Sequence, residues 1–315
     1  MSQRNRYLWA AVALCLLLAG CAPGGGTSSS PAPVSSASSS GISSADTSLS
    51  AASSSQEDTS PPPTLPEPVP DESLPDPAPV APPQLVKPEN RTLYILMYHH
   101  IVQPGEYYNN WTITTDRLRE DLQWLQDNGY ATLLPSQLAA GEPLPDKAVL
   151  VTFDDGYESN YTLGLPILQQ FQVRAAIALI VERIDSASPG FLTWDMCRDM
   201  QASGLVEFGS HTYDSHKEDP RGIKRQSGET QDEYRQRALA DVQRSIDRMA
   251  QELGSAPIYF AYPHGQTEPW ADEFLAQNFS VTVTTRHGPA KLENDLYDLP
   301  RHNITVENPV SKYLP

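Results

Sequence analysis

The sequence breaks in two near residue 87, and that break decides how much of the chain can fold. From residue 22 to 87, Ser, Pro, Ala and Gly dominate and large apolar side chains are almost missing. Such a stretch cannot bury enough surface to offset the entropy lost on ordering. It reads as a tether, flexible in its Ser-rich half and semi-extended from Pro61 to Pro83. Residues 88–315 remain for one folded domain, a length that a barrel or a doubly wound sheet uses as a single core.

Ahead of the tether, Arg4 and Arg6 precede an apolar run from Tyr7 to Gly20, the layout of a secretory signal and shorter than a comfortable membrane span. Leu18-Ala19-Gly20-Cys21 resembles the lipobox of bacterial lipoproteins. That resemblance implies a signal peptide over residues 1–21, lipid on Cys21, and an extracytoplasmic, membrane-anchored protein. An uncleaved anchor, or a signal cut elsewhere, gives the same side of the membrane. Cys15 and Cys21 both belong to this region, so the domain holds only Cys197 and no internal disulfide. Cys197 sits in the apolar-spaced run Leu192-Trp194-Met196-Cys197-Met200, which predicts burial.

The formal net charge is −17, and part of it belongs to the tether, which carries seven acids and no base between residues 22 and 86. The domain is acidic as well. Basic clusters that would bind phosphate are absent, which argues against nucleic acid and against a strongly anionic polymer. A neutral or cationic glycan fits better.

Within the domain, short apolar runs alternate with helical patterns. Strands are expected at Leu93–Met97, Ala148–Phe153, Ala175–Ile180, Leu205–Phe208, Ile258–Tyr262 and Val281–Thr284. Helices are expected at Asp116–Asn128, striped by Leu118, Leu122 and Leu125, and at Asp232–Leu253, striped by Tyr234, Ala238, Val242, Ile246, Met249 and Leu253. This alternation predicts a mostly parallel α/β sheet with helices outside it and a ligand site where the strands end. His99 and His100, Asp154 and Asp155, His211, and Pro263-His264 all fall at such ends.

Two local patterns carry chemistry. In Val151-Thr152-Phe153-Asp154-Asp155-Gly156-Tyr157, adjacent carboxylates end an apolar strand. Like charges so close call for a metal, a cation or a shared proton; the alternative is a pair capping the next helix from Asp155 or Ser159. In Gly209-Ser210-His211-Thr212-Tyr213-Asp214-Ser215-His216, the two histidines would lie roughly 140° apart on a helix at about 100° per residue, so only a loop lets them converge on one ion. Two imidazoles and one carboxylate make the open three-ligand site of hydrolytic metal enzymes. A surface histidine pair is the alternative.

Together these patterns resemble the polysaccharide deacetylase family, carbohydrate esterase family four, also called the NodB-homology domain. Thr152-Phe153-Asp154-Asp155-Gly156 matches its first motif, which implies Asp154 as general base and Asp155 as metal ligand. Its second motif is usually His-Ser/Thr-x-x-His. The longer spacing from His211 to His216 is similar to the branch acting on poly-β-1,6-N-acetylglucosamine in biofilm matrices, and implies both as ligands. Tyr259-Phe260-Ala261-Tyr262-Pro263-His264-Gly265 is similar to the third motif, with His264 where Tyr is usual, and Phe191-Leu192-Thr193-Trp194-Asp195 also resembles that branch. Tyr98-His99-His100-Ile101 resembles its N-terminal motif, which implies His99 as general acid and leaves His100 structural; His302, in Leu299-Pro300-Arg301-His302, is the alternative acid.

The resemblance spans residues 92–306 and implies a distorted (β/α)7 barrel. It further implies a divalent cofactor, zinc first, with cobalt, nickel or iron also suited to the ligands. An oxyanion would be held by the cation and a backbone N–H near Tyr262, and Trp194 is expected as a wall of the acetyl pocket. The expected activity is removal of N-acetyl groups from an N-acetylglucosamine polysaccharide by a monomer without the large second domain of some biofilm deacetylases. An O-acetyl esterase on xylan or cell-wall glycan, and a non-catalytic lipid-anchored solute- or glycan-binding protein, are the competing readings.

Overall fold

A computed structural model of the chain describes residues 85–86, 91–141, 143–292 and 295–315. The signal segment with Cys21, and the tether up to residue 84, lie outside the described residues. Order begins a little earlier than the composition implied. Leu85–Val86 forms a short strand antiparallel to Leu144–Pro145, inside the stretch read as tether.

Seven strands follow one another in chain order: β1 (Arg91–Tyr98), β2 (Ala148–Phe153), β3 (Ala175–Leu179), β4 (Val206–Ser210), β5 (Tyr259–Ala261), β6 (Val281–His287) and β7 (Leu299–Asn303). Each pairs in parallel with the next, and β7 returns to pair with β1, closing a barrel. The expected (β/α)7 barrel is therefore the observed fold. Its distortion is local: β4 and β5 share one register pair, Ser210 with Phe260, and the β6–β7 register shifts between Val283 and His287.

The sequence of β2 shows why these strands form. All six residues of Ala-Val-Leu-Val-Thr-Phe are buried, as required of a parallel strand covered on both faces. Ala148 and Leu150 join Ile95, Ala178, Tyr259 and Val283 in the cluster that fills the barrel. Val149, Val151 and Phe153 point the other way, against the helices. Gly209 is required on the inner face of β4, because a Cβ there would collide with the Tyr259 ring.

Four helices matter to the site: α1 (Thr115–Asp127), α2 (Val181–Asp185), α3 (Trp194–Ala202) and α4 (Ala240–Leu253). In α1 the predicted Leu118, Leu122 and Leu125 stripe is buried, and the Thr114 hydroxyl caps its start by accepting from the Arg117 N–H. Cys197 is buried in α3, where burial pushes its thiol up to about 12. The single helix expected over Asp232–Leu253 is instead interrupted by a π-turn at Arg235–Leu239. Three successive spacings of four, from Tyr234 to Ile246, would carry the stripe about 120° round a regular helix, and the wider turn brings it back into register. The strand β7 was not expected, because Pro300, Arg301 and His302 break the apolar pattern.

Candidate active site

The carboxyl ends of β1, β2, β4 and β5 open onto one cavity of about 430 Å³, lined by His99, Asp154, Asp155, His211, His216, Tyr262 and His264 among others. Directly after three of these strands the backbone turns through the left-handed region at non-glycine residues: Asp155 (φ 74°), Thr212 (φ 72°) and His264 (φ 56°). Such conformations cost roughly 1–3 kcal/mol each and persist where the surroundings over-determine them.

Asp155, His211 and His216 converge. Asp155 Oδ1 lies 3.5 Å from His211 Nε2 and 3.6 Å from His216 Nε2. Ligand atoms about 2.1 Å from a tetrahedral ion stand about 3.4 Å apart, so this spacing is that of a shared cation. Asp155 Oδ1 is buried without a hydrogen-bond partner, which fits an oxygen reserved for a metal. His211 Nδ1, 2.7 Å from the Ala261 carbonyl, donates its proton there, which leaves the Nε2 lone pair facing Asp155. Burial lowers His211 to about 3 and lowers His216 as well, so both imidazoles are neutral at neutral pH. Burial, and then the Asp154 charge, push Asp155 up to about 7, as expected of an acid placed for a cation to neutralise. Asp155 thus faces the imidazoles and does not cap a helix, and Ser159 makes no cap bond either.

The five-residue step from His211 to His216 is clamped from two sides. The Tyr213 and Asp214 N–H groups donate to the Asp241 carboxylate of α4 at 3.1 and 2.9 Å. The Thr212 and Tyr213 carbonyls accept from Val181 and Glu182, in the first turn of α2, at 3.2 and 2.9 Å. Helix α2 thus spends its unpaired N-terminal donors on the loop.

Asp154 is held differently. Arg301 reaches across the barrel to bind it with two bonds, Nη1 to Oδ1 at 2.8 Å and Nη2 to Oδ2 at 2.6 Å. Arg301 also donates to Thr152 Oγ1 at 3.1 Å and to the Thr284 carbonyl at 2.9 Å, and both partners of the pair are fully buried. Burial works to raise the Asp154 carboxyl, but the Arg301 guanidinium outweighs it and holds that carboxyl well below the usual carboxylate range. The sequence reading missed Arg301. Its only signal was adjacency to His302, since alternation along a strand turns one of two neighbours inward.

His99 is at the cavity, its ring packed edge-on against Trp111 at 4.9 Å and its Nδ1 without a partner. Burial lowers it to about 4. His100 takes a structural part, its Nδ1 3.0 Å from Ser159 Oγ, which in turn accepts from the Ile101 N–H.

Two expectations meet corrections. His302 is not at the cavity: its Nδ1 lies 3.1 Å from His287 Nε2 and its ring stacks on Tyr94 and Tyr313, because it points outward where Arg301 points inward. Trp194 is not a cavity wall either. Its indole N–H donates to Asp185 at 2.9 Å, and Asp185 also binds Arg248 and the Tyr213 hydroxyl. Tyr262 lines the cavity, and its own N–H donates to the Val283 carbonyl at 3.0 Å.

Residues 141–282 match the family model described as polysaccharide deacetylase. The poly-beta-1,6-N-acetyl-D-glucosamine N-deacetylase of Escherichia coli K12 is 30% identical over 69% of this chain, and the match spans 37% of that longer protein. Among solved structures, a Streptococcus pyogenes deacetylase in complex with acetate is similar at a TM-score of 0.60, with 26% identity, over 72% of this chain and 100% of the other. A de-N-acetylase from Aggregatibacter actinomycetemcomitans is similar at a TM-score of 0.61, with 26% identity, over 70% of this chain and 98% of the other.

Proposed function

Because the chain carries a polysaccharide deacetylase domain, we propose that it is a metal-dependent hydrolase removing N-acetyl groups from N-acetylglucosamine units of a cell-surface or matrix polysaccharide. One observation carries this reading: three metal-type ligands converge beside a second carboxylate that is fixed by an arginine. Poly-β-1,6-N-acetylglucosamine is the substrate we favour, from the name of the Escherichia coli relative and from the His211–His216 spacing.

Amide hydrolysis needs an activated water and a protonated leaving nitrogen. A divalent cation at Asp155, His211 and His216, with zinc the first candidate, would polarise the acetyl carbonyl and lower the pKa of the attacking water. Asp154, kept ionised by Arg301, takes the proton from that water. Arg301 fixes both carboxylate oxygens, so the base is oriented before substrate arrives. His99 lines the same cavity and hands a proton to the departing sugar nitrogen. Its imidazole is neutral above about pH 4, so it must take up a proton within the catalytic cycle before it can donate one.

Acetate release from poly-β-1,6-N-acetylglucosamine, peptidoglycan and chitin oligosaccharides tests this reading. The protein should release acetate from at least one, lose that activity to a chelator and regain it with zinc, and Asp154→Asn should lower kcat about 10³-fold. Intact polymers at saturating metal would sink the enzymatic reading. Anchoring through lipid on Cys21 goes with the proposal, supported by the lipobox resemblance. Cys21→Ala should then shift the protein from the membrane fraction to the soluble one, and an unchanged distribution would count against the anchor.

A further inference from the structure

Among the described residues, the large apolar side chains left strongly exposed are Tyr107 (86%), Tyr108 (43%) and Trp111 (50%), and all three fall within residues 107–111. Scattered exposed apolar residues are ordinary, but a contiguous set on the lip of a cavity marks contact with a ligand or partner. Here lip and cavity are continuous, since Asn109 and Trp111 line the cavity and the Trp111 ring packs against His99.

The lip is held in shape. The Trp111 N–H donates to Asn109 Oδ1 at 2.8 Å, the Trp111 carbonyl accepts from the His100 N–H at 3.2 Å, and Asn303 Nδ2 donates to the Asn110 carbonyl at 3.1 Å. At the other end the Gln103 N–H donates to Glu106 Oε2 at 2.6 Å. Rings presented on a tied loop lose little freedom when they bind, and tyrosine offers a rigid amphipathic surface at low entropic cost.

The chemistry of the lip selects its occupant. Residues 103–112 contain Glu106 and two asparagines but no Lys or Arg, so they lack the basic residues by which a loop gains from an anionic bilayer. A neutral sugar suits them: the flat C–H face of a pyranose covers an aromatic ring while its hydroxyls meet the tyrosine hydroxyl and the asparagine amides. In a polymer, the units next to the one being processed leave the cavity over its rim, and Asn109 and Trp111 form part of that rim.

We propose that Tyr107, Tyr108 and Trp111 form a glycan platform that grips the sugar units flanking the one in the cavity, and thereby makes the enzyme prefer long chains to short ones. The proposal rests on the deacetylase reading and extends it from the reacting unit to its neighbours.

The test uses the zinc-loaded full chain with the dimer and the hexamer of β-1,6-linked N-acetylglucosamine, comparing kcat/KM for acetate release and, separately, hexamer binding by calorimetry. The hexamer should exceed the dimer by about tenfold in the unaltered protein. Tyr107→Ala/Tyr108→Ala should bring the two to near parity and weaken hexamer binding, while Tyr107→Phe/Tyr108→Phe keeps most of the preference. An undiminished preference in the alanine variant overturns the platform. So does a result in which that variant loses only its co-sedimentation with phosphatidylglycerol vesicles, since the occupant is then a membrane. Hexamer binding that depends on the two tyrosines but yields no acetate overturns the deacetylase reading and leaves the platform standing.

Discussion

Five of the seven histidines line the cavity, whereas His287 and His302 pair with each other on the outside of the barrel. Both groups are rich in ring contacts, with His216 between His211 and His264 in the first and His302 between Tyr94 and Tyr313 in the second. The difference lies in the charged groups around them. Asp154 and Asp155 stand in the first group, with one oxygen of Asp155 facing both imidazoles, whereas in the second group His302 Nδ1 meets only another imidazole, His287 Nε2, and His302 Nε2 is left without a partner. Histidine clustering alone therefore says little; a carboxylate held among the imidazoles is what gives the cluster chemistry.

The sharpest way to break this contrast is to exchange the two candidate acids. His99→Ala should lower amide hydrolysis about 10²-fold, while His302→Gln changes kcat less than about twofold in initial-rate assays of acetate release. A reversed pattern would mean that the outer pair reaches the substrate.

A smaller effect is expected behind the metal ligands. Asp241 holds the His211–His216 loop through the Tyr213 and Asp214 N–H groups, so Asp241→Ala should weaken zinc binding about tenfold in a competition titration. Asp241→Asn, which retains one acceptor oxygen, should recover part of the loss. Equal zinc affinity in all three proteins would show that the loop holds itself.

The smallest effect concerns the outer pair. Burial, then the neighbouring His287, lower His302 from 6.5 to about 4. Between those values the unfolded chain carries a proton that the folded chain refuses, so this contribution to stability is present above about pH 6.5 and is lost as pH falls toward 4. Thermal unfolding across this window should show a shallower acid-side decline for His302→Gln than for the unaltered protein. Parallel curves would mean that His302 is not titrating in the way its surroundings imply.

Much of the barrel was legible because its parallel strands are buried on both faces and therefore read as unbroken apolar runs, as in Ala148–Phe153. Strand β7 was not legible, since it trades apolar residues for Arg301 and His302, and a chain read for hydrophobicity passes over it. The ligand trio was visible as motifs, but the partner that orients the base was not. Arg301 lies far from Asp154 in sequence, and only closure of the barrel brings the two together. Trp194 was misplaced for a related reason: the sequence does not show that Asp185, on the preceding helix, accepts the indole N–H away from the cavity.

Zinc-loaded crystals measured at the metal absorption edge offer the most direct trial of the central claim. One anomalous peak should appear about 2.0–2.2 Å from Asp155 Oδ1, His211 Nε2 and His216 Nε2, with nothing at His287 and His302. A peak at the outer pair instead, or a flat map among the three cavity ligands at saturating zinc, would contradict it.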